Sequence, residues 1–565
     1  MNVTEAALIL RAAVPLGAVP ARVGDDLIAH ARTRPDRVFL AERDGDDWSR
    51  ITYGAMLAAV RRAGAGILAR GGTPERPVLL CADNGLAHAI VGFGAMHAGV
   101  PYAPVSYTLA RSDRSGARLR GFVDLLTPAF AFASDPEVVA NLRAVAPDLP
   151  IVTHIDALAG DPARADAAFA ATTPDTIAKI LFTSGSTGTP KGVITTQRML
   201  TANTSMYAAA WPLVMDAPVI LDWLPWSHCF GGNHNVGMVL RGGGTLYIDD
   251  GRPVPGAFAA TLRNLREIAP VLAFNVPVGW ALLCDALERD PDLAARFFSK
   301  LRLISNAGAS LPDSTRARLE ALMRRHASAP VPIVSSWGAT ETAPLATGSW
   351  GDPMPDHDTI GVAVPGVEIK LAPIGDRFEI RVRGASVTPG YWRNAEATAS
   401  AFDADGFYKS GDAVALRDPL DPGRGIEFRG RVAENFKLSS GTWVNVGALR
   451  LAVLDALAPY ALDVALAGAD RDAIGVLVYP SAQPAPPGAI AAALAAHNAL
   501  ATGSSTRIAR ARVLDEAPDR AAGEITDKGS LNQRRALDHR AADVARLFAI
   551  PTDPATIVLE TGASA

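Results

Sequence analysis

Short runs of valine, isoleucine and leucine alternate along this chain with longer segments whose apolar residues recur at helical spacing. Pro77 to Cys81 reads PVLLC, and the helix-like stretch Leu86 to Gly99 follows it. Runs that are apolar throughout predict strands buried on both faces, and their alternation with helices predicts an α/β protein with largely buried sheets. Phe378 to Val382 (FEIRV) and Gly425 to Phe428 (GIEF) have an alternating or edge-like character instead, which predicts a β-rich subdomain before Gly430. Beyond Gly430 come alanine-rich helices and a proline-rich spacer from Pro480 to Pro487, the pattern of a smaller unit. A chain of 565 residues exceeds what one core usually serves. We expect a first domain over residues 1–430 and a second over 431–565, joined at about Gly430 to Asn435. No internal repeat is visible.

Composition narrows the class. Hydrophobic residues make up 49% of the chain, enough for substantial cores, and a net charge of −4 offers no electrostatic reason for nucleic-acid binding. No uncharged apolar stretch reaches the roughly 18 residues of a membrane span. The apolar start, Met1 to Pro20, has Glu5 ahead of its hydrophobic run and no basic leader, so a signal peptide is not expected. Cys81, Cys229 and Cys284 are too dispersed for a zinc pattern and too few for a disulfide framework. A cytoplasmic enzyme is the expectation, and a homodimer is compatible with it.

The chemistry concentrates in Leu181 to Val193, LFTSGSTGTPKGV. Two apolar residues bring a strand out of a core into glycines, serines and threonines that end at one lysine. Glycines let backbone N–H groups turn inward on an anion, hydroxyls add donors, and Lys191 adds a mobile positive charge, so the loop suits phosphate. A P-loop would need Gly-Lys-Ser/Thr, but Pro190 precedes this lysine and Gly192 follows it. A surface linker of the same composition would lack the apolar strand before the loop and the Lys-Gly-Val after it.

The segment closely resembles the signature loop of the AMP-forming acyl-activating enzymes. That resemblance implies that Thr183, Ser184, Gly185, Ser186, Thr187, Gly188 and Lys191 hold the phosphates of ATP. Other family motifs appear in order. Ser336 to Thr342 (SWGATET) resembles the aromatic-Gly-x-Thr-Glu motif, which implies Trp337 against adenine, Thr340 at the α-phosphate and Glu341 on Mg²⁺. A hydroxyl beside a hard carboxylate suits a metal-bound phosphate. Phe407 to Asp412 (FYKSGD) has Ser410 where the family has threonine, and Asp412 should accept from both ribose hydroxyls, as an ionised carboxylate can. Arg431, after Gly430, is expected near the ribose or phosphate. The resemblance further assigns Ala307, Gly308, Ala309, Gly338 and Ala339 to the nucleotide site. In Leu224 to Gly232 (LPWSHCFGG), His228 matches the histidine beside the substrate carboxylate. His234 takes no family role.

The resemblance runs from Asp26 to Leu547 and is narrowest with the bacterial feruloyl-CoA synthase group. DWLPWSHCFGGNHN (Asp222 to Asn235), GGTLYIDDG (Gly243 to Gly251), WGATETAPLAT (Trp337 to Thr347), FKLSSGTWVNVGALR (Phe436 to Arg450) and GEITDKGSLNQR (Gly523 to Arg534) carry it. It implies His228, Asn235, Val236, Gly237 and Gly338 around the acid, with Val236 and Gly237 departing from bulkier residues of that group. Lys437, Gly441 and Trp443 are implied at coenzyme A, Lys528 as the catalytic lysine, and Ala433 at the hinge, where many relatives have Asp or Lys. The implied fold is a large N-terminal α/β domain of helix-flanked β-sheets with a β-rich subdomain, plus a small mobile C-terminal α+β domain. The implied reaction is acid plus ATP to acyl-AMP and pyrophosphate, then transfer to CoA, with Mg²⁺ as cofactor and an aromatic, hydroxycinnamate-type acid. The competing readings are a ligase that loads a carrier protein, a fatty-acyl-CoA ligase, and a non-catalytic adenylate-binding protein.

Overall fold

The computed structural model describes residues 7–113, 115–183, 191–254, 256–374, 377–432, 434–481, 483–501, 503–519, 522–525 and 531–559. Strands Ile151–Val152, Phe130–Phe132, Val78–Leu80, Tyr102–Pro104 and Ile177–Thr183 lie side by side and parallel, and Lys191–Thr196 closes the edge antiparallel to Ile177–Thr183. Val78–Leu80 and Phe130–Phe132 are buried at every position, as strands covered on both faces must be. Leu86–His97 covers this sheet and packs on Tyr53–Ala69. The two helices touch through glycine: a Cβ on Gly64 would come within 2.9 Å of the Gly94 carbonyl oxygen. Thr52 caps the second of them by accepting the Ala55 N–H.

A second sheet runs parallel through Leu272–Asn275, Leu303–Asn306 and Ile333–Gly338, then turns antiparallel into Leu345–Gly348 and Val362–Ala363. A third joins Val219–Asp222, Thr245–Ile248 and Val38–Asp44 in parallel, with Asp47–Thr52 folded back as a hairpin.

The β-rich subdomain is the antiparallel sheet Leu8–Arg11, Val367–Ile374, Arg377–Gly384, Tyr408–Leu416, Ile426–Arg431. The alternation in Arg377–Gly384 is physical: Phe378, Ile380 and Val382 are buried, while the arginines and Glu379 between them keep contact with solvent. Its first strand comes from the N-terminal segment and pairs Leu8 with Leu371.

In the C-terminal unit, Ala461–Ala467, Ile474–Pro480, Ile508–Val513 and Thr556–Val558 form one sheet, flanked by Val446–Leu457, Ala489–Ala499, Gln533–His539 and Ala541–Leu547. Among the described residues the apolar clusters part between Phe428 and Phe436, with separate cores before and after. No helix among the described residues is long and apolar enough to cross a membrane.

Candidate functional site

Thr183 ends its strand directly opposite Lys191, so the two ends of the glycine-rich loop are paired in an antiparallel register. Ser184, Gly185, Ser186, Thr187 and Gly188 lie outside the described residues, as do Ala433 and Lys528. Ile525 and Leu531 pair across the segment that contains Lys528.

Lys191 has its Nζ 5.3 Å from the centre of the Tyr391 ring, and the Tyr391 hydroxyl donates to Glu341 Oε1 at 3.0 Å. The segment that carries Tyr391 runs beside the strand from Lys191. Trp392 N–H donates to the Gly192 carbonyl at 2.7 Å, Ile194 N–H to that of Gly390 at 3.1 Å, and Thr388 N–H to that of Glu341 at 2.8 Å. Tyr391 therefore joins the loop lysine to the expected metal ligand, a link that the sequence reading missed; the Gly-Tyr-Trp run at Gly390 was its signal. Among the described residues no group of three His, Cys, Asp or Glu side chains could hold a metal ion. One buried carboxylate completed by substrate phosphate oxygens is how Mg²⁺ is commonly held, and Glu341 keeps acceptor capacity beyond the Tyr391 bond.

Strands Leu303–Asn306 and Ile333–Gly338 are parallel neighbours with Asn306 opposite Ser335. Ala307, Gly308 and Ala309 therefore leave the same sheet edge as Trp337, Gly338 and Ala339. The crevice outside the carboxyl ends of such strands is where open α/β sheets take ligands. Asn306 Nδ2 holds the first turn by donating to the Ala309 carbonyl at 2.8 Å. A Cβ on Gly338 would overlap the Pro344 carbonyl, so the following loop can fold against it only if that position is glycine. Trp337 is buried, and its indole Nε1 donates to Asp412 Oδ2 at 2.8 Å. Arg431 Nε lies 2.9 Å from the other oxygen, Oδ1. Burial pushes the Asp412 carboxyl above the usual carboxylate range, and Arg431 and the indole N–H partly oppose that shift.

His228 precedes a π-helical turn, Cys229–Asn235, which runs into the α-helix Val236–Gly242. Such turns often occur at functional sites. Gly231 and Gly232 lie hard against the carbonyls of Leu224 and Trp226, where any side chain would collide. The Phe230 N–H donates to His228 Nδ1 at 3.2 Å, so the neutral ring carries its proton on Nε2. Cys229 Sγ is 3.7 Å from both His228 Nδ1 and Thr340 Oγ1, which brings the two expected catalytic groups to either side of one sulfur.

His234 is a core residue: it packs on Tyr207, Phe230 and Phe274, its Nδ1 bonds Asn235 Oδ1 at 2.7 Å, and burial lowers its pKa to about 4. Asn235 was expected beside the acid. It is fully enclosed and bonded to His234, and it does not line the nearby cavity. His228 and Gly338 are also not among the residues lining that cavity, whereas Val236 and Gly237 are.

The cavity, of about 40 Å³, lies between the strand Ile177–Thr183 and the segment Trp226–Gly237, with Phe93, Tyr102 and Thr204 in its wall. It also holds a residue that the sequence reading passed over. Lys179 is buried, donates to the Gly232 carbonyl at 3.0 Å and to Asn233 Oδ1 at 2.8 Å, and has its pKa pushed down to about 7 by burial. Its signal was a lysine inside an otherwise apolar strand, Ile177–Thr183.

The residues expected at coenzyme A share one small hairpin. Lys437 and Trp443 are paired across Phe436–Lys437 and Trp443–Val444, with the ammonium 5.0 Å from the indole ring, and Gly441 makes the turn at φ +82°. Trp443 is 48% exposed although it is a large aromatic.

Comparison with known proteins places these features in a family. The model described as "AMP-binding enzyme" matches residues 27–392. The chain is 27% identical over 425 residues to benzoate–CoA ligase from Thauera aromatica, covering 70% of this chain and 74% of that one. It is 32% identical over 252 residues to medium-chain fatty-acid–CoA ligase from Escherichia coli, 43% of this chain and 41% of that one. The solved structure of the anthranilate CoA ligase AuaEII in complex with anthranoyl-AMP superposes with a TM-score of 0.75 at 17% identity, covering 94% of this chain and all of that one (100%).

Proposed function

Because the chain belongs to the AMP-binding enzyme family and is an AMP-forming acid–CoA ligase, we propose that the acid it activates is a flat aromatic one of the hydroxycinnamate type. The carrying observation is that Val236 and Gly237 border a small cavity with aromatic walls and a buried lysine rather than an apolar channel. A channel for an alkyl chain gains by being apolar to its end, and a buried ammonium there costs free energy that methylene groups cannot return. The feruloyl-like segments around His228 and Trp443 and the similarity to a benzoate–CoA ligase support the same reading.

In this reading His228, its proton on Nε2, donates toward the acid carboxylate and orients it for attack on the α-phosphate. Attack forms the new carboxyl oxygen–phosphorus bond and expels pyrophosphate. Thr340 donates to the α-phosphate, while Lys191 and the loop from Thr183 hold the outgoing phosphates, so donors and charge are already in place where negative charge builds. Glu341, oriented by Tyr391, would hold Mg²⁺, which neutralises phosphate charge when bound. Trp337, Ala307–Ala309 and Asp412 bind the nucleoside. Lys528 adds a cation in this half-reaction only. The CoA thiol then attacks the acyl carbonyl, with AMP as the leaving group, after the unit beyond Gly430 turns and brings the Lys437–Trp443 hairpin to the site. Gly430 and Gly447 are the contact about which such a turn would occur: a Cβ on Gly447 would lie 2.9 Å from the Gly430 Cα.

The test is AMP release with CoA over cinnamic, benzoic and fatty acids. Hydroxycinnamates should have higher kcat/KM than octanoate, and a preference for octanoate would overturn the aromatic assignment while leaving the ligase itself standing.

A further inference from the structure

Lys179 is buried on the strand that leads into the phosphate loop, four residues before Thr183. Among the described residues no carboxylate is within ion-pair distance of its ammonium, and Asp26, which also lines the cavity, is paired with Arg241 at 2.8 Å. The oxygens that Lys179 does meet, the Gly232 carbonyl at 3.0 Å and Asn233 Oδ1 at 2.8 Å, carry no formal charge. Its Nζ is 5.4 Å from the centre of the Tyr102 ring, close to the limit of about 6 Å for attraction to a π-face. Cys229 is the acidic side chain whose charge would favour the ammonium, and a thiol supplies that charge only when ionised. A buried cation is costly unless an opposite charge faces it.

Three more side chains in the same wall, Trp226, Asn233 and His88, have a buried polar atom with no hydrogen-bond partner among the described residues. Like Lys179, each is 3% exposed, so solvent does not answer for it. Trp226 Nε1 and Asn233 Nδ2 can only donate: an indole N–H offers no lone pair, and the bond from Lys179 fixes the other amide atom of Asn233 as its oxygen. His88 Nε2 is an acceptor, because Nδ1 faces the carbonyl oxygens of Ala82 at 3.2 Å and Asp83 at 3.3 Å and so carries the ring's proton. One positive charge, two surplus donors and one surplus acceptor therefore border a space of about 40 Å³, where a water needs roughly 10 to 15 Å³. Unpaired groups gathered in this way in a protein interior are the mark of an enclosed ion or water.

We propose that this cavity binds one small monovalent anion, for which chloride is the probe, held by the Lys179 ammonium, Trp226 Nε1–H and Asn233 Nδ2–H. One water beside it gives one hydrogen to the anion and the other to His88 Nε2, so all four side chains are satisfied. Water alone would meet the donors but bring no charge to Lys179, and a cation is repelled by it. Trp226 and Asn233 stand on either side of His228 in the chain. The ion therefore ties the strand that enters the phosphate loop to both flanks of the segment that carries His228. The site does not depend on which acid the enzyme activates. Because a bound anion favours the ammonium form, the titration of Lys179 belongs to chloride-free buffer.

The test melts the full-length enzyme at fixed pH and ionic strength in sodium chloride and in sodium gluconate, a six-carbon anion too large for the cavity. Chloride should raise the melting temperature by about 2 °C or more, and the rise should grow with the logarithm of its concentration, as binding to the folded state alone requires. Lys179→Met should lose that difference between the two salts. Equal melting of the wild type in both salts overturns the site, and so does a folded Lys179→Met that keeps the full difference. Crystals of the wild type soaked in bromide give a measurement that needs no variant. Anomalous scattering should place one bromide among Lys179, Trp226 and Asn233, and no bromide there overturns the proposal. If Lys179 is neutral or is compensated by a Cys229 thiolate, the two salts give the same melting temperature and the cavity takes no bromide.

Discussion

Trp337 and Asp412 are hydrogen-bonded to each other, indole Nε1 to carboxylate Oδ2 at 2.8 Å, across 75 residues of chain. The residue expected against adenine therefore orients the one expected at the ribose, and Arg431 holds the second oxygen at 2.9 Å. Each carboxylate oxygen still has a lone pair for a ribose hydroxyl. Asp412→Ala should weaken ATP binding by about 1.5 to 3 kcal/mol, the range for hydrogen bonds to a charged group. The KM for CoA should stay as it is. Unchanged ATP binding in a folded variant would take Asp412 out of the nucleotide site.

Tyr391 joins Lys191 to Glu341, and its hydroxyl donates to that carboxylate. Tyr391→Phe keeps the ring under the lysine and removes the hydroxyl that bonds Glu341 and also meets Tyr408. The Mg²⁺ concentration for half-maximal adenylation should rise by about tenfold, the equivalent of about 1.4 kcal/mol, while the KM for the acid moves little. A Mg²⁺ titration at fixed ATP, read as acid-dependent pyrophosphate exchange, decides it.

Lys528 should separate the two half-reactions. Lys528→Ala is expected to slow adenylation by about a hundredfold or more, on the order of 3 kcal/mol of charge stabilisation, and to leave thioester formation from a synthetic acyl-adenylate intact. Equal loss in both halves would contradict the domain turn. Intact pyrophosphate exchange would move the adenylation role to another residue, most directly Lys437.

Buried Lys179 gives folding stability a pH dependence of known sign. Its folded pKa is about 7, below the roughly 10.4 of a free lysine, so between these values the unfolded chain binds a proton that the folded one lacks. Stability from this group is full above the unfolded value and is lost as pH falls through the folded one. Relative to Lys179→Met, the wild type should therefore gain stability as pH rises from about 7 to about 10, with no further change below about 6. Urea denaturation of both proteins across that range measures the difference, and a gap independent of pH would mean that Lys179 stays protonated in the fold.

The local order of motifs along this chain was sufficient to identify a family and to expect most of a nucleotide site, because hydroxyls, glycines and single charges at fixed spacing carry their chemistry within a few residues. Strand character was equally local: the uniform burial of Val78–Leu80 and the alternation of Arg377–Gly384 both follow from side-chain periodicity. What lay beyond the sequence was every relationship between distant segments. Nothing in Leu8–Arg11 itself names Val367–Ile374 as its partner strand, and nothing in the run of residues around Asn235 shows that its side chain is fully enclosed. Tyr391 meets Glu341, and Cys229 lies between His228 and Thr340, only because separate strands converge there. Lys179 is the clearest case. In sequence it is one lysine in a strand, and only the packing of the Trp226–Gly237 segment over it removes water, leaves its charge without a carboxylate and sets His88 beside the same cavity. Desolvation depends on what covers a group from every side, and that is decided by tertiary packing.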